Sequence, residues 1–480
     1  MRILLTIIAA IISVCSYAQT GYKIDFKIKG LKDTTAYLGY YYGESTYVKD
    51  TARVSSQGTF TFDGKQALPQ GVYFLILKTT RIFEIVISGQ QHFSLETSTE
   101  DFIKYMKIKG DDDNRLFFEN MVFNMESHKE ADPWVKILQD STLKEDQKKD
   151  AKEAFQKINA KVLARQEEII STFPATMTAR IIKATKPIEV PNPPKKADGS
   201  IDSTFQLRYY RQHFFDNFNL ADDALIHLPK PYYVEKLNEY LDKLFFQSPD
   251  SIMAAIDGLA AVVKKNQETY KYLVWTCVYK YQKPAIMGLD EVYVKLVDKY
   301  YLSGDMDFWV DDKLKKNLKE YADKLRGSLI GKTGANLSMQ DQNFQQKSLY
   351  DIKKKYTIVY IFDPDCGHCR EESPKLVAFY EKNKVKFNLE VFAVNADSSM
   401  KKMRDYMKEM KMTWITVNGP RSYVGHYGKL YYAETTPSLY VLDEKKKIIA
   451  KGLLAEKLED FFSNYERYLQ RKASLKTKKT

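Results

Sequence analysis

The feature that most constrains the fold is an apolar run followed closely by a pair of cysteines. Residues 355–362 (KYTIVYIF) are almost continuously apolar, which is typical of a strand at the centre of a sheet covered on both faces. Cys366 and Cys369 follow in the sequence CGHC, and residues 370–384 have a helical pattern. A Cys-x-x-Cys pair at a strand-to-helix turn predicts an α/β domain with a redox-active dithiol.

The remainder of residues 331–480 alternates between strand and helix patterns, which supports the same α/β assignment. The strands are predicted at 389–396, 438–443 and 447–452, and the helices at 400–410 and 454–469.

Other uses of a cysteine pair fit these residues poorly. Covalent haem attachment needs a histidine directly after the second cysteine, and Arg370 stands there. A structural zinc site usually needs two such pairs, and the chain has no second one. A peroxide-reducing cysteine stays open in principle, but residues 362–365 (FDPD) contain no Thr or Ser to orient a peroxide. A purely structural disulfide would close too small a loop to remove much unfolded-state entropy.

The positions of the two cysteines at the start of a predicted helix support redox chemistry directly. Cys366 lies at the start of a predicted helix that begins near Gly367, where free N–H groups and the helix dipole stabilise a thiolate. His368 lies between the cysteines and is expected to stabilise the thiolate further. Cys369 lies one turn into the helix, where it can attack a mixed disulfide formed by Cys366. We therefore expect Cys366 to attack and Cys369 to resolve, without a dissociable cofactor and without a metal.

Residues 331–480 resemble the thioredoxin-like domain of exported TlpA/ResA-type thiol-disulfide oxidoreductases. The resemblance rests on the CxxC pair, on Pro374 and on Thr436-Pro437. It implies a cis peptide bond before Pro437, since X-Pro bonds are the common place for one. It also implies that the Thr436 backbone pairs with an extended substrate strand beside Cys366.

The same resemblance gives a possible role to Glu372. Its position in the spacing CxxC-x-x-E-x-P resembles that of an acid that assists proton transfer at the resolving cysteine. Residues three apart on a helix share a face, so a contact between Glu372 and Cys369 is feasible. The alternative is a solvated helix carboxylate like Glu371.

Two positions depart from the thioredoxin pattern. Asp365 stands where thioredoxins have Trp, and a carboxylate there is expected to oppose thiolate formation at Cys366. Tyr360 aligns roughly with a buried acid of thioredoxin, so that acid's proton relay is expected to be absent. The CGHC sequence also resembles the pair of protein disulfide isomerase, which suggests a potential within the range of about −270 to −120 mV that such dithiols span.

The residues before this domain fall into two regions of different character. Residues 19–108 show short alternating runs, beginning with Tyr22, Ile24, Phe26 and Ile28, and are predicted to form a β-sandwich-like domain. Residues 109–330 show helical spacing and are predicted to form an α-helical domain. Both regions loosely resemble domains of unknown function that precede thioredoxin-like domains in exported Bacteroidetes-type proteins; for the helical region the resemblance rests on residues 209–229. It implies no activity.

The N-terminus predicts export. Residues 1–18 combine Arg2, a short apolar run and a small-x-small site, which is typical of a cleaved signal peptide. A lipoprotein acylated at Cys15 is the less favoured alternative. After cleavage the remaining cysteines are the CGHC pair and Cys277, which is predicted to be a buried, inert thiol in a helix.

The net charge of +12 comes from interleaved acids and bases, so we do not expect nucleic-acid binding. Apart from the N-terminal run, no stretch of the sequence is long and apolar enough to span a bilayer, so we expect no stable membrane insertion of the mature chain. The sequence thus predicts a multidomain periplasmic thiol-disulfide oxidoreductase that acts on protein disulfides and receives electrons from a membrane thiol carrier. The competing hypothesis is a binding or scaffold protein with a redox-inert thioredoxin-like domain. Substrate identity, redox direction and oligomeric state are not predicted.

Overall fold

The computed structural model of the protein describes residues 21–195 and 197–477. The predicted signal peptide and Cys15 lie outside these residues. The chain divides into two compact units. The first extends to Leu244 and includes Val262–Thr269, and the second comprises Phe245–Ala261 and the residues from Tyr270 onward. The helical region predicted for 109–330 therefore contributes to both units, and the predicted boundaries at 108/109 and 330/331 stay predictions.

The first unit begins with a β-sandwich, as predicted. One sheet has the strand order β4-β1-β7-β8 and the other β3-β2-β5-β6. Alternate residues of β1 are buried, which is the pattern of a strand with one face on a core. The strands are Tyr22–Lys29 (β1), Thr35–Tyr42 (β2), Ser45–Arg53 (β3), Thr59–Gly64 (β4), Gly71–Leu77 (β5), Thr80–Ile87 (β6), His92–Ser98 (β7) and Lys107–Lys109 (β8).

Helices follow the sandwich, also as predicted. In the proline-rich stretch, the described residues 186–195 and 197–200 form neither a helix nor a regular strand, because proline lacks the N–H that both structures use. The helices up to Lys243 are Asp112–Gln139 (α1), Lys149–Thr172 (α2), Met177–Thr185 (α3), Phe205–His213 (α4) and Tyr232–Lys243 (α5).

The next four helices lie mostly in the second unit. Cys277 is completely buried in the second of them, and burial raises the pKa of its thiol to about 12, which agrees with the predicted inert cysteine. These helices are Pro249–Val263 (α6), Gln267–Gln282 (α7), Asp290–Leu296 (α8) and Asp312–Arg326 (α9).

The C-terminal part of the second unit is an α/β domain built on a seven-stranded sheet of order β10-β9-β13-β12-β11-β14-β15. Strand β11 pairs in parallel with β12 and antiparallel with β14. The strands are Ser338–Asp341 (β9), Gln346–Ser348 (β10), Tyr356–Phe362 (β11), Leu389–Asn395 (β12), Ile415–Ser422 (β13), Ser438–Leu442 (β14) and Ile448–Lys451 (β15). The helices are Gly367–Asn383 (α10), Met400–Glu409 (α11), Tyr427–Leu430 (α12) and Leu458–Thr477 (α13).

Strand β11 is buried at all seven positions, as the apolar run predicts. Its side chains alternate between two cores. Tyr360 and Phe362 pack with residues of α10, α11 and α13, and Val359 and Ile361 pack on the opposite face of the sheet. The strand is thereby held in the middle of the domain, and its carboxyl end delivers the chain directly to Cys366.

Several strands were not predicted. Strand β3 is exposed along most of its length, and β13 has the sequence ITVNGPRS, so neither shows an apolar alternation. Strands β9 and β10 have only four and three residues.

Among the residues that the structure describes, no helix combines the length and apolar character needed to cross a bilayer.

Candidate redox site

Cys366 caps the N-terminus of α10. Its backbone is extended, and Gly367 is the first helical residue. Its sulfur accepts a hydrogen bond from the Cys369 backbone N–H at 3.4 Å. On its other side the thiol donates to the carbonyl oxygen of Thr436 at 3.3 Å. The sulfur is therefore fixed between the first turn of a helix and the loop before β14.

This environment favours the thiolate of Cys366. Partial burial acts to raise the pKa of the thiol, but hydrogen bonds from the Thr436 and Cys369 side chains and from the Cys369 and His368 backbone N–H groups outweigh it. The pKa consequently lies below its ordinary value. The two backbone donors are among the free N–H groups expected at a helix start.

Cys369 has the opposite properties. It is completely buried, and burial raises the pKa of its thiol to about 12. Both cysteines are free thiols in this structure. Two thiols one helical turn apart thus differ strongly in acidity, with the more acidic one at the surface.

The loop opposite the cysteines has the predicted geometry, since the Thr436–Pro437 peptide bond is cis. Within the described part of the chain, the backbone N–H of Thr436 has no hydrogen-bond partner. The group that the resemblance assigns to substrate pairing is therefore available next to Cys366.

Glu372 is buried on α10 and is not the solvated carboxylate of the alternative interpretation. Its oxygens accept hydrogen bonds from the Lys375 ammonium at 2.7 Å and the Ala455 backbone N–H at 2.9 Å. Burial acts to raise the pKa of the carboxyl, but these two partners outweigh it and lower the pKa below its usual value. Glu372 is thus an ionised carboxylate inside the domain.

The side chains of His368 and Asp365 both point to other partners. The imidazole of His368 is 84% exposed and lies 3.8 Å from the Glu371 carboxylate, so the described link from His368 to the sulfur is its backbone N–H. The carboxylate of Asp365 forms an ion pair with Lys402 at 2.6 Å, and Lys402 also contacts Asp397 at 3.1 Å. Lys402 therefore offsets the negative charge that was expected to oppose thiolate formation.

Sequence reasoning missed a chain of buried hydroxyl groups behind the cysteines. Ser373 Oγ lies 2.9 Å from the Tyr360 hydroxyl and 2.9 Å from the Tyr406 hydroxyl. The charge of a Cys369 thiolate acts on the pKa of both tyrosines. Tyr360, which aligns with the buried acid of thioredoxin, also lines a cavity of about 60 Å³ together with Glu372 and Pro437. The position that corresponds to the thioredoxin acid is therefore occupied by a polar side chain, that of Tyr360, which carries a hydroxyl group and not a carboxyl group.

Within the described residues, no group of three or more His, Cys, Asp or Glu side chains is placed to hold a metal ion.

Comparison with family models divides the chain in the same order as the fold. Residues 330–451 match the AhpC/TSA family. Residues 143–324 and 22–117 each match a domain of unknown function, DUF5106 and DUF4369. No curated protein matches the chain.

Several solved bacterial structures are similar to parts of the chain. A domain of a possible thiol-disulfide isomerase from Cytophaga hutchinsonii is 36% identical, with 30% of this chain and 97% of that chain covered and a TM-score of 0.28. A thioredoxin-like protein from Bacteroides caccae is 18% identical, with coverages of 58% and 99% and a TM-score of 0.43. A thiol:disulfide interchange protein from Bacteroides sp. is 23% identical, with coverages of 30% and 92% and a TM-score of 0.26.

The thiol pair at the start of α10, the cis-proline loop and the family match lead to one assignment: residues 330–451 match the AhpC/TSA family and form a thioredoxin-like domain, preceded by residues that match DUF4369 and DUF5106.

Proposed function

We propose that this protein is an exported thiol-disulfide oxidoreductase that exchanges disulfides with protein substrates through Cys366 and Cys369. The observation that carries the proposal is the unequal acidity of the two thiols. Cys366 is partly exposed with a lowered pKa, and Cys369 is buried with a pKa raised to about 12. A reaction in two successive attacks needs one thiol that is ionised before the first attack and a second thiol that stays protonated until the mixed disulfide has formed.

In the reducing direction, the Cys366 thiolate attacks one sulfur of a substrate disulfide. The substrate S–S bond breaks, a mixed disulfide forms at Cys366, and the released substrate thiolate takes up a proton. Cys369 then loses its proton and attacks the Cys366 sulfur. The second substrate sulfur leaves as a thiolate and takes up a proton. The two electrons that reduce the substrate disulfide come from the oxidation of the Cys366 and Cys369 thiols to a disulfide. The oxidising direction is the reverse of these steps.

Glu372 is proposed to receive the proton of Cys369. Its lowered pKa keeps it ionised near neutral pH, so it can accept a proton but not donate one at the start of the step. It shares a small cavity with Tyr360, whose pKa responds to both Cys369 and Glu372. Replacing Glu372 with Gln is therefore expected to slow the second attack more than the first, with the largest effect near neutral pH.

The proposal also includes export of the protein to the periplasm and an electron donor in the membrane. The N-terminal sequence supports cleavage after residue 18 and a periplasmic location, with acylation at Cys15 as the alternative. Such a compartment offers no soluble reductant pool, so reduction of substrates requires a membrane thiol carrier as donor. The N-terminal residue of the protein recovered from the periplasm, determined by mass spectrometry, distinguishes cleavage from acylation.

Trapping of the mixed disulfide tests the proposal in cells. Cys369→Ser removes the second attack, so substrate proteins should accumulate as disulfide-linked adducts at Cys366 that mass spectrometry identifies. Cys277→Ser is the matched control, since that thiol is buried elsewhere and its loss should trap nothing. Absence of adducts, together with absence of insulin reduction by the wild type, would overturn the proposal.

The competing hypothesis of a redox-inert domain in a binding protein predicts a different thiol. In that case alkylation of Cys366 should follow an ordinary thiol pKa, and its disulfide with Cys369 should resist substrate thiols. The pH dependence of alkylation separates the two hypotheses.

A further inference from the structure

A cleft within the second unit is lined in part by the cis-proline loop. It has a volume of about 500 Å³. One wall is the turn 282–288 between α7 and α8, together with Tyr321 and Leu325 of α9. The other wall is the segment 432–440 that contains the cis-proline loop. The helical segment before the thioredoxin-like domain thus forms half of this cleft.

The cleft begins where a bound substrate must pass. Thr435 and Pro437 line it, and they flank Thr436, whose carbonyl oxygen is 3.3 Å from the Cys366 sulfur. A polypeptide joined to Cys366 by a disulfide has its own cysteine at that point. The residues next to that cysteine, on one side, therefore reach the mouth of the cleft.

The lining offers apolar surface and few unpaired charges. Ile286 and Met287 are 44% and 40% exposed there, and Tyr321 packs edge-to-face on Tyr432 at 5.7 Å. The carboxylates that line the cleft are paired, Asp290 with Lys451 and Glu434 with Lys324 at 2.7 Å. Lys283 also lines the cleft and has no ion-pair partner within the described residues. An aliphatic side chain in the cleft would cover Ile286 and Met287, whereas a basic one would find both carboxylates already paired.

The helical wall is anchored to the thioredoxin-like domain before any substrate arrives. The Lys451 ammonium is bonded to Asp290 and, at 2.9 Å, to the Ser328 carbonyl. The Lys451 backbone N–H donates to the Met287 sulfur at 3.1 Å. Within the helical wall, the Tyr321 hydroxyl donates to the Gln282 carbonyl at 3.1 Å and so joins α9 to α7. A preformed wall gives selectivity because little ordering entropy is lost on binding.

We infer that this cleft binds an extended segment of the protein substrate that carries apolar side chains next to its disulfide cysteine. The inference rests on the proposed function and deepens it, since it gives the helical segment the role of selecting substrates for Cys366. Small disulfides without a peptide chain do not reach the cleft and react independently of it.

The test uses three probes that differ only in what lies next to the disulfide. Two are short peptides whose single cysteine forms a mixed disulfide with thionitrobenzoate, one with Leu and one with Ser on both sides of the cysteine. The third is the symmetrical bis-thionitrobenzoate disulfide, which has no peptide. Attack by Cys366 on the peptide sulfur releases coloured thionitrobenzoate and leaves the peptide on Cys366, so the second-order rate constant is read directly with the reduced full-length protein.

Wild type should react with the Leu peptide about tenfold faster than with the Ser peptide, since one apolar group in a fitted pocket gives a preference of that order. Ile286→Asp should abolish this preference and leave the rate with the peptide-free disulfide unchanged. The matched control is Val385→Asp, which places the same charge at a site 86% exposed and outside the cleft, and it should behave as the wild type.

A wild type without preference for the Leu peptide, or an Ile286→Asp variant that keeps it, would overturn the inference. An equal loss of preference in both variants would do the same. If Cys366 failed to react with the peptide-free disulfide, the proposed function itself would be overturned and this inference with it. The two failures are therefore distinguishable in one set of measurements.

Discussion

The two thiols of the CGHC sequence differ in how easily they ionise, and the difference comes from their positions on one helix. Cys366 receives N–H groups at the start of α10, whereas Cys369 is enclosed by the core one turn later. The helix start stabilises a thiolate, and burial destabilises one. The order of attack proposed above follows from these two effects.

Alkylation as a function of pH checks this difference. The rate of Cys366 modification by iodoacetamide should rise with pH and then level off. The midpoint of this rise should lie below pH 9, because the pKa of the Cys366 thiol is lowered from an ordinary value of 9. Cys369 should stay unmodified over the same range, because its pKa is raised to about 12. Mass spectrometry of digested samples resolves the two sites. A midpoint at 9 or above for Cys366 would contradict the assignment and favour a redox-inert pair.

Lys402 is expected to assist thiolate formation by offsetting Asp365. In Lys402→Ala the Asp365 carboxylate loses its partner next to Cys366, so the midpoint of Cys366 alkylation should move to higher pH. The pair is exposed, so the thiolate-to-thiol ratio should fall by less than about fivefold. Lys401→Ala is the matched control, since Lys401 pairs with Asp405. A midpoint unchanged at low salt would show that Asp365 does not act on the sulfur.

At the residue scale, sequence reasoning could place the two cysteines, Pro437 and Glu372 because motif spacing defines them. It could not find Lys402, which lies 37 residues from Asp365 and meets it only when α11 is in place. It also could not tell that the His368 ring is 84% exposed and lies near the Glu371 carboxylate, because side-chain direction in the first turn depends on such neighbours.

At the scale of elements, the buried hydroxyl chain joins β11, α10 and α11. Tyr360 lies on β11, Ser373 on α10 and Tyr406 on α11, and all three side chains are buried. Each hydroxyl needs a partner, since an unsatisfied buried polar group is costly. Ser373 therefore fixes the helix that carries both cysteines against the central strand.

Ser373→Ala should destabilise the second unit by about 1–3 kcal/mol, because it removes the shared partner of two buried tyrosine hydroxyls. The free energy of unfolding from urea titration measures this effect. Ser398→Ala is the control, because Ser398 is exposed, and it should change stability by less than about 0.5 kcal/mol. Equal stability of both variants would mean that the hydroxyl chain does not stabilise the domain.

Elements with a clear apolar period were predictable, and those without one were not. The continuous run of β11 and the alternation of β1 reflect burial on two faces and on one face. Strand β13 contains Gly419 and Pro420, and β3 lies mostly in solvent. Their strand state comes from pairing with neighbouring strands, which a local pattern does not record.

At the scale of the whole molecule, the helical segment and the thioredoxin-like domain are connected by a buried ion pair. Asp290 begins α8 and Lys451 ends β15, and both side chains are largely buried. A buried charge without its partner is strongly destabilising. This pair therefore holds the helical wall of the cleft in position.

Asp290→Ala should lower the stability of the second unit by about 3–5 kcal/mol, since it leaves the Lys451 ammonium buried without a carboxylate. Adding Lys451→Met to the same chain should recover part of the loss, because the uncompensated charge is then gone. Urea unfolding of the full-length single and double variants measures both effects. Additive losses in the double variant would show that the two side chains are not coupled.

The order of domains was predictable from changes in period along the chain, but the role of the helical segment was not. The cleft brings residues 282–288 against residues 432–440, and no motif in either stretch indicates the other. A surface made from two distant segments exists only in the folded unit. The sequence could therefore predict the thiol pair and the cis-proline loop, and not the cleft that the loop lines.

The stoichiometry of a single turnover tests most directly whether Cys366 attacks the substrate and Cys369 then resolves the mixed disulfide. Reduced protein is mixed with excess protein disulfide, and the products are counted by intact mass after acid quenching. Wild type is expected to deliver two electrons per chain and to end with a Cys366–Cys369 disulfide, while Cys369→Ser is expected to stop at one mixed disulfide on Cys366. An adduct on Cys369, or a wild type that releases no substrate thiol, would contradict this mechanism.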